Sequence, residues 1–250
     1  HNIVRAFDVA NEGALHYLVM EYVKGHTLDD LVAKTGPLRP AQAIDYLRQA
    51  AMGLQHAFEA GLVHRDIKPS NFLISETGAV KILDLGLAKF FNEPSSSVEE
   101  KPGGGESVMG TADYMSPEQG LNTGPVDIRG DIYSLGCTFY FCLRGKAPFE
   151  GAHTAQKLLW HQVREPDPLQ NFRGDLPLPL IAVVSRMMAK DPAHRFQTPA
   201  EILTALTLDG SAELPVVVIP QEAIDTGLNL SSESPTITLK RQRPQSAPTW

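Results

Sequence analysis

The chain is 250 residues long and 42% apolar, enough for one large folded domain or two small ones with a real core. Its 29 Asp and Glu outnumber its 22 Lys and Arg, and the net charge of -7 argues against a nucleic-acid backbone or an anionic membrane as the main partner. Phosphate recognition, where it occurs, has to be local.

The first residue is His1, with no charged and apolar leader before it, so a processed start or a missing upstream segment is expected. NIVRAFDV (2–9) and LHYLVMEYV (15–23), separated by ANEGA, read as a β-hairpin. TLDDLVAKTG opens on a threonine cap and closes on glycine, which predicts a helix. A second helix starts near Pro40 and carries Ile44, Leu47, Ala51, Leu54 and Phe58 at three- and four-residue spacing before Gly61. LVHRDIKPSNFLI and VKILDLGLA read as short apolar strands, each with a charged loop, joined by the turn SETGA. In this reading Leu62 and Val63 belong to a buried strand that ends at the charged stretch.

Residues 89–110, rich in Ser, Pro, Glu and Gly, cannot bury a core and are expected to form a long loop. Helical segments follow at 127–144, 154–164 and 178–190, and then DPAHRFQTPAEILTAL. The two cysteines, Cys137 and Cys142, lie in the apolar run YSLGCTFYFCL and read as small core residues of a reduced cytosolic protein. That run is too short to span a bilayer, so no membrane segment is expected within the chain. Residues 209–250 are rich in Ser, Thr and Pro and read as a linker or tail.

Chemistry concentrates in HRDIKPSN, residues 64–71. Asp66, Lys68 and Asn71 share one loop, and Asp84 follows at the end of the next strand. An Asp with an Asn or a second Asp among these makes a hard oxygen site suited to Mg²⁺, which keeps its waters and is shared with substrate phosphates. Lys68 supplies a point charge for a phosphoryl oxygen, and Asp66, where it is not itself a metal ligand, can accept a hydroxyl proton. The combination fits phosphoryl transfer from a nucleotide to an alcohol.

HRDIKPSN resembles the catalytic loop of protein kinases, and DLG (84–86) stands where that family usually has D-F-G. GTADYMSPEQ (110–119) resembles the end of the activation segment, DIYSLG (131–136) the central buried helix, and DPAHRF (191–196) the late arginine motif. These motifs, in the family's order over residues 1 to about 208, resemble a protein kinase, and the wording of GTADYMSPEQ and DPAHRFQTPAEI is most similar to that of the bacterial eukaryotic-like serine/threonine kinases.

The resemblance implies an α+β, protein-kinase-like fold. A remnant of the N-terminal lobe and hinge would occupy 1–23 and the helical C-terminal lobe 24–208, with the activation segment at 84–118. It implies that Asp66 is the catalytic base, that Asn71 and Asp84 hold Mg²⁺, and that Lys68 and Thr111 complete the catalytic set. Lys68, two residues after the aspartate, is the serine/threonine-kinase pattern. Met20 would guard the adenine pocket, the backbone at Glu21 and Val23 would bond adenine, and Leu73 would form its floor. Arg65 would receive an activation-loop phosphate, with Ser107 and Ser95, Ser96 and Ser97 as candidate sites. His64 would pack under Leu85, Glu118 would pair with Arg195, and Asp131 would hydrogen-bond the HRD backbone.

The cofactors implied are ATP and Mg²⁺; the partners implied are proteins that offer Ser or Thr, and a kinase dimer for autophosphorylation. The location implied is cytoplasmic, with a membrane anchor beyond Trp250 left open. The family's glycine-rich loop, strand lysine and helix glutamate have no counterpart here, and the GGG at 103–105 falls inside the activation loop. The chain is therefore expected to be a truncated fragment of weak or no activity, and a pseudokinase or docking module is the alternative. A small-molecule kinase is disfavoured by the peptide-positioning segment GTADYMSPEQ.

Overall fold

The computed structural model describes residues 1–12, 15–85, 112–121, 126–151 and 153–207. Most of 84–118, including Thr111, Ser107 and Ser95 to Ser97, and the tail 209–250 thus lie outside the described residues.

Strands β1 (Ala6–Glu12) and β2 (Leu15–Met20) pair antiparallel as the expected hairpin, with a register shift between Ala6 and Asp8. A second sheet has the order β3 (Gly25–Thr27), β4 (Phe72–Ser75), β5 (Val80–Ile82), antiparallel throughout. The sequence pattern did not show β3, since three residues with one glycine carry no alternation. The N-terminal residues add to β5: Ile3 bridges Ile82 in parallel, and Ile82 N–H donates to the Asn2 carbonyl at 2.9 Å.

Helices α1 (Leu28–Thr35) and α2 (Pro40–Glu59) follow the sequence expectation closely. The Thr27 hydroxyl caps α1 by accepting from Asp30 N–H, and Pro40 opens α2 where a missing N–H costs nothing. On α2 the buried face is centred on Ala43, Tyr46, Leu47, Ala50, Ala51, Leu54 and Ala57, whereas Ile44 is half-buried and Phe58 exposed. The alanines let the helix lie close to its neighbours. Gly53 takes this furthest, since a Cβ there would stand 2.7 Å from Ile82 Cδ1 and 2.9 Å from the Asn2 carbonyl oxygen.

Leu62 and Val63 are not in a strand. Gly61, at φ 71°, turns the chain out of α2; its N–H donates to the Phe58 carbonyl and that of Leu62 to Ala57, a helix-ending pair of bonds. The apolar pair therefore belongs to a helix cap, and HRDIKPSN precedes a strand instead of following one.

The helical part continues with α3 (Pro117–Leu121), α4 (Ile128–Arg144), α5 (Thr154–Val163), α6 (Leu178–Met187) and α7 (Pro199–Thr207). Helix α4 is the hub: Ile132, Tyr133, Leu135, Cys137, Phe139, Cys142 and Leu143 are fully buried, as an all-round apolar helix requires. Both cysteines are free core residues, and burial pushes the Cys137 thiol up to about 12. Gly136 admits α6, since a Cβ would meet Met188 Cγ at 2.8 Å and Met187 Cβ at 2.9 Å. No helix of the described residues is long and apolar enough to cross a membrane.

Candidate active site

The site forms where β4 begins and β5 ends, which pairing of Phe72 with Ile82 sets side by side. A short 3-10 turn, Pro69–Asn71, delivers Asn71 to this corner, and Leu83 N–H closes it by donating to the Asn71 carbonyl at 2.8 Å. Asp84 is the next residue along.

Three of the predicted residues meet directly. Lys68 Nζ lies 2.8 Å from Asp66 Oδ2, and Asn71 Nδ2 donates to the Asp66 carbonyl at 2.6 Å and to its Oδ2 at 3.2 Å. Asp66 Oδ1 is buried without a hydrogen-bond partner. A buried acceptor of this kind is costly unless a ligand supplies the missing donor. Asp84 is exposed beside this group, and Thr111 falls outside the described residues.

The backbone under the cluster is held against its own preference. Arg65 (φ 67°) and Asp84 (φ 58°) are left-handed non-glycine residues, a conformation that costs on the order of 1 kcal/mol each. Asp131 stabilises the first: its Oδ2 accepts from His64 N–H and its Oδ1 from Arg65 N–H, both at 2.7 Å. Burial pushes the Asp131 carboxyl above its ordinary range, opposed by His64, these two N–H bonds and Arg65. His64 bridges the two loops. Its Nδ1 accepts from Asp66 N–H at 3.3 Å, which leaves Nε2–H to donate to the Leu83 carbonyl at 2.7 Å.

On the other side of the corner, Met20, Glu21 and Val23 leave β2 and Leu73 lies in β4, all four half-buried. Glu21 N–H donates to the Arg5 carbonyl at 2.8 Å. The Glu21 side chain, to which the sequence assigned nothing, pairs with Lys81 of β5 at 2.8 and 3.0 Å. That hydrogen bond holds the Glu21 carboxyl below its usual range.

Further out, Arg195 is fully buried and every guanidinium N–H has an acceptor: the Glu118 carboxylate, and the carbonyls of Ala189, Arg129 and Lys190. Asp113, from the TADY stretch, forms an ion pair with Lys157 of α5 at 2.5 Å. Two residues outside the sequence prediction tie pieces together. Gln49 of α2 holds the β4–β5 turn through Gly78 O and Val80 N–H, and Gln119 of α3 donates to the Arg65 carbonyl. The SPEQ pattern, Ser followed three residues later by Gln, signals the cap that Gln119 makes on Ser116 but not its bond to Arg65.

The residue set fits a magnesium ion. Asn71 and Asp84 offer hard oxygen donors, which suit an ion that completes its shell with water and phosphate.

The fold and this corner define the protein kinase class, and comparison with known proteins agrees. The protein kinase domain model matches residues 1–205, and the chain belongs to that family. It is similar to the serine/threonine-protein kinase PknB of Mycobacterium tuberculosis, 40% identical over 203 residues that cover 81% of this chain and 32% of that protein. PknB of Mycobacterium leprae is 38% identical over 218 residues, covering 86% of this chain and 34% of the relative. The chain thus spans about a third of the length of these curated relatives. Among solved structures, Rad53 1-466 in complex with AMP-PNP matches with TM-score 0.66 and 28% identity over 82% of this chain and 50% of that one.

Proposed function

We propose that this domain transfers the γ-phosphate of ATP, with Mg²⁺, to serine and threonine hydroxyls of proteins. The observation that carries the reading is the Asp66 carboxylate, with Oδ2 bound by Lys68 and Asn71 and Oδ1 buried without a partner. Its relatives' names as serine/threonine kinases and the AMP-PNP complex of Rad53 support the acceptor and the nucleotide.

Asp66 Oδ1 accepts the hydrogen bond of the incoming hydroxyl and takes its proton as the oxygen bonds phosphorus and the bond to the β-phosphate oxygen breaks. Lys68, already within 2.8 Å of Asp66, offsets charge on the transferring phosphoryl oxygens. Asn71 and Asp84 would hold the metal, and Thr111 would complete the catalytic set. Mg²⁺, when bound, supplies charge neutralisation across the phosphate oxygens. Glu21 spends its N–H on Arg5, so it meets adenine through its carbonyl, while Val23 offers N–H, Leu73 the floor and Met20 the back wall.

The proposed partners are proteins that present Ser or Thr, a second copy of the chain among them, and the proposed setting is the cytoplasm. Phe7 and Val9 are 64% and 68% exposed, so the hairpin leading to the adenine site has a bare face. We therefore expect residues 1–250 alone to bind ATP weakly and to turn over little.

The test is transfer of radiolabelled γ-phosphate to a generic protein substrate by the full-length protein. Asp66→Asn and Asp84→Asn are each expected to lower the rate by about 10³-fold or more. Variants as active as the parent protein would refute the assignment.

A further inference from the structure

The N–H and C=O of Arg65 and the N–H of Asp66 all have partners. Arg65 N–H is on Asp131 and Asp66 N–H on His64. The Arg65 carbonyl accepts from Gln119 Nε2 at 2.7 Å. Asp131 and His64 are buried in the body of the fold; Gln119 stands on α3, at the end of the segment proposed to receive the acceptor peptide. A pocket beside Asp66 is walled by Tyr114, Met115 and Gln119.

The other end of the Gln119 amide is occupied too. Its Oε1 accepts from Ser116 N–H at 3.1 Å and from Ser116 Oγ at 2.9 Å. That half is the return bond of a capping box, from the Ser116 N–H to the side chain at the third helical position; it stabilises the start of α3 and would accept glutamate as readily as glutamine. The donor half is what glutamine adds, because only an amide can cap through its oxygen and donate to Arg65 through its nitrogen.

We infer that Gln119 is a positioning residue: it docks α3 on the catalytic loop and fixes the strained peptide that orients Asp66. The inference rests on the proposed reading of Asp66 as the base. Gln119 thereby links the seating of residues 112–121 to the geometry of proton transfer, across 54 residues of sequence.

Gln119→Glu separates the two halves, since it keeps the cap and removes the donor. In the full-length protein with labelled ATP, Mg²⁺ and a protein substrate, this variant is expected to lose about tenfold in kcat, with the KM for ATP within about twofold. Its thermal midpoint should stay close to that of the parent protein, and amide hydrogen exchange at residues 65–67 should quicken. Ser116→Ala, which leaves the Arg65 bond in place, should lose much less kcat.

An unchanged kcat and unchanged exchange in Gln119→Glu, beside an active parent protein, would overturn this inference alone. So would a fall in kcat matched by an equal loss of thermal stability. A folded parent protein that transfers no phosphate would overturn the kinase reading and this inference together.

Discussion

Arg195 grips Glu118 through two parallel hydrogen bonds, Nη1 to Oε1 at 2.7 Å and Nη2 to Oε2 at 3.0 Å. The guanidinium is fully buried and stacks on Tyr133, with its centre 4.8 Å from the ring centroid. Removing the arginine would leave a carboxylate and three carbonyls without their donor. Arg195→Met is therefore expected to cost about 3–5 kcal/mol of stability, read by urea denaturation. Arg195→Lys keeps the charge but cannot form the fork, and should cost almost as much. Glu118 is 22% exposed, so Glu118→Gln should cost less than either, and the reverse ranking would refute this account.

Asp131 imposes the turn that makes the active corner. Asparagine at this position keeps one acceptor, so either His64 N–H or Arg65 N–H loses its partner inside the protein. Asp131→Asn should cost about 1–3 kcal/mol. It should also lower kcat by about 10- to 100-fold, because Asp66 then relaxes out of line. Steady-state kinetics beside thermal melts check this; a stable variant with full kcat would show that Arg65 keeps its left-handed geometry unaided.

How legible this was depends on how local each signal is. Helices α1, α2 and α4 announce themselves through caps and periodicity, and HRDIKPSN gathers Asp66, Lys68 and Asn71 within six residues, so their meeting needs only one turn. Leu62 misled because two apolar residues after a glycine read equally as a strand or as a helix cap, and only the Leu62–Ala57 bond decides. Gln49, Lys81 and Gln119 were not assigned because each acts on a partner 29 to 60 residues away, which no local pattern encodes. Ala43, Ala50 and Ala57 of α2 were passed over in favour of Ile44 and Phe58, since pattern reading weights large side chains and close helix packing favours small ones.

The Glu21–Lys81 pair joins the proposed adenine-binding segment to the strand that runs into Asp84. With side chains 27% and 19% exposed, the pair contributes little to global stability, roughly 0.5 kcal/mol. Its effect should fall on nucleotide binding. Lys81→Met and Glu21→Gln are each expected to raise the KM for ATP about three- to tenfold with a smaller change in kcat, and the double reversal Glu21→Lys with Lys81→Glu should recover part of the loss. Single variants with unchanged KM would remove the pair from nucleotide binding.

His161 makes stability depend on acid. Its Nδ1 lies 2.9 Å from the Tyr133 hydroxyl, it packs edge-on against Phe149 at 4.8 Å, and it is 1% exposed. Burial pushes its pKa down to about 3, helped by the charges of Lys190 and Lys157. In the unfolded chain the imidazole titrates near its ordinary value of about 6.5. Between these two values the unfolded state binds the extra proton, so stability from this group is complete above about 6.5 and is lost as the pH falls towards 3. The slope is at most about 1.4 kcal/mol per pH unit. His161→Gln retains a hydrogen-bonding group but cannot titrate. Urea midpoints measured from pH 7 to pH 5 should therefore fall less steeply in His161→Gln than in the parent protein, although the variant starts from lower stability. Parallel pH profiles would mean that His161 is protonated as readily in the folded state as in the unfolded one.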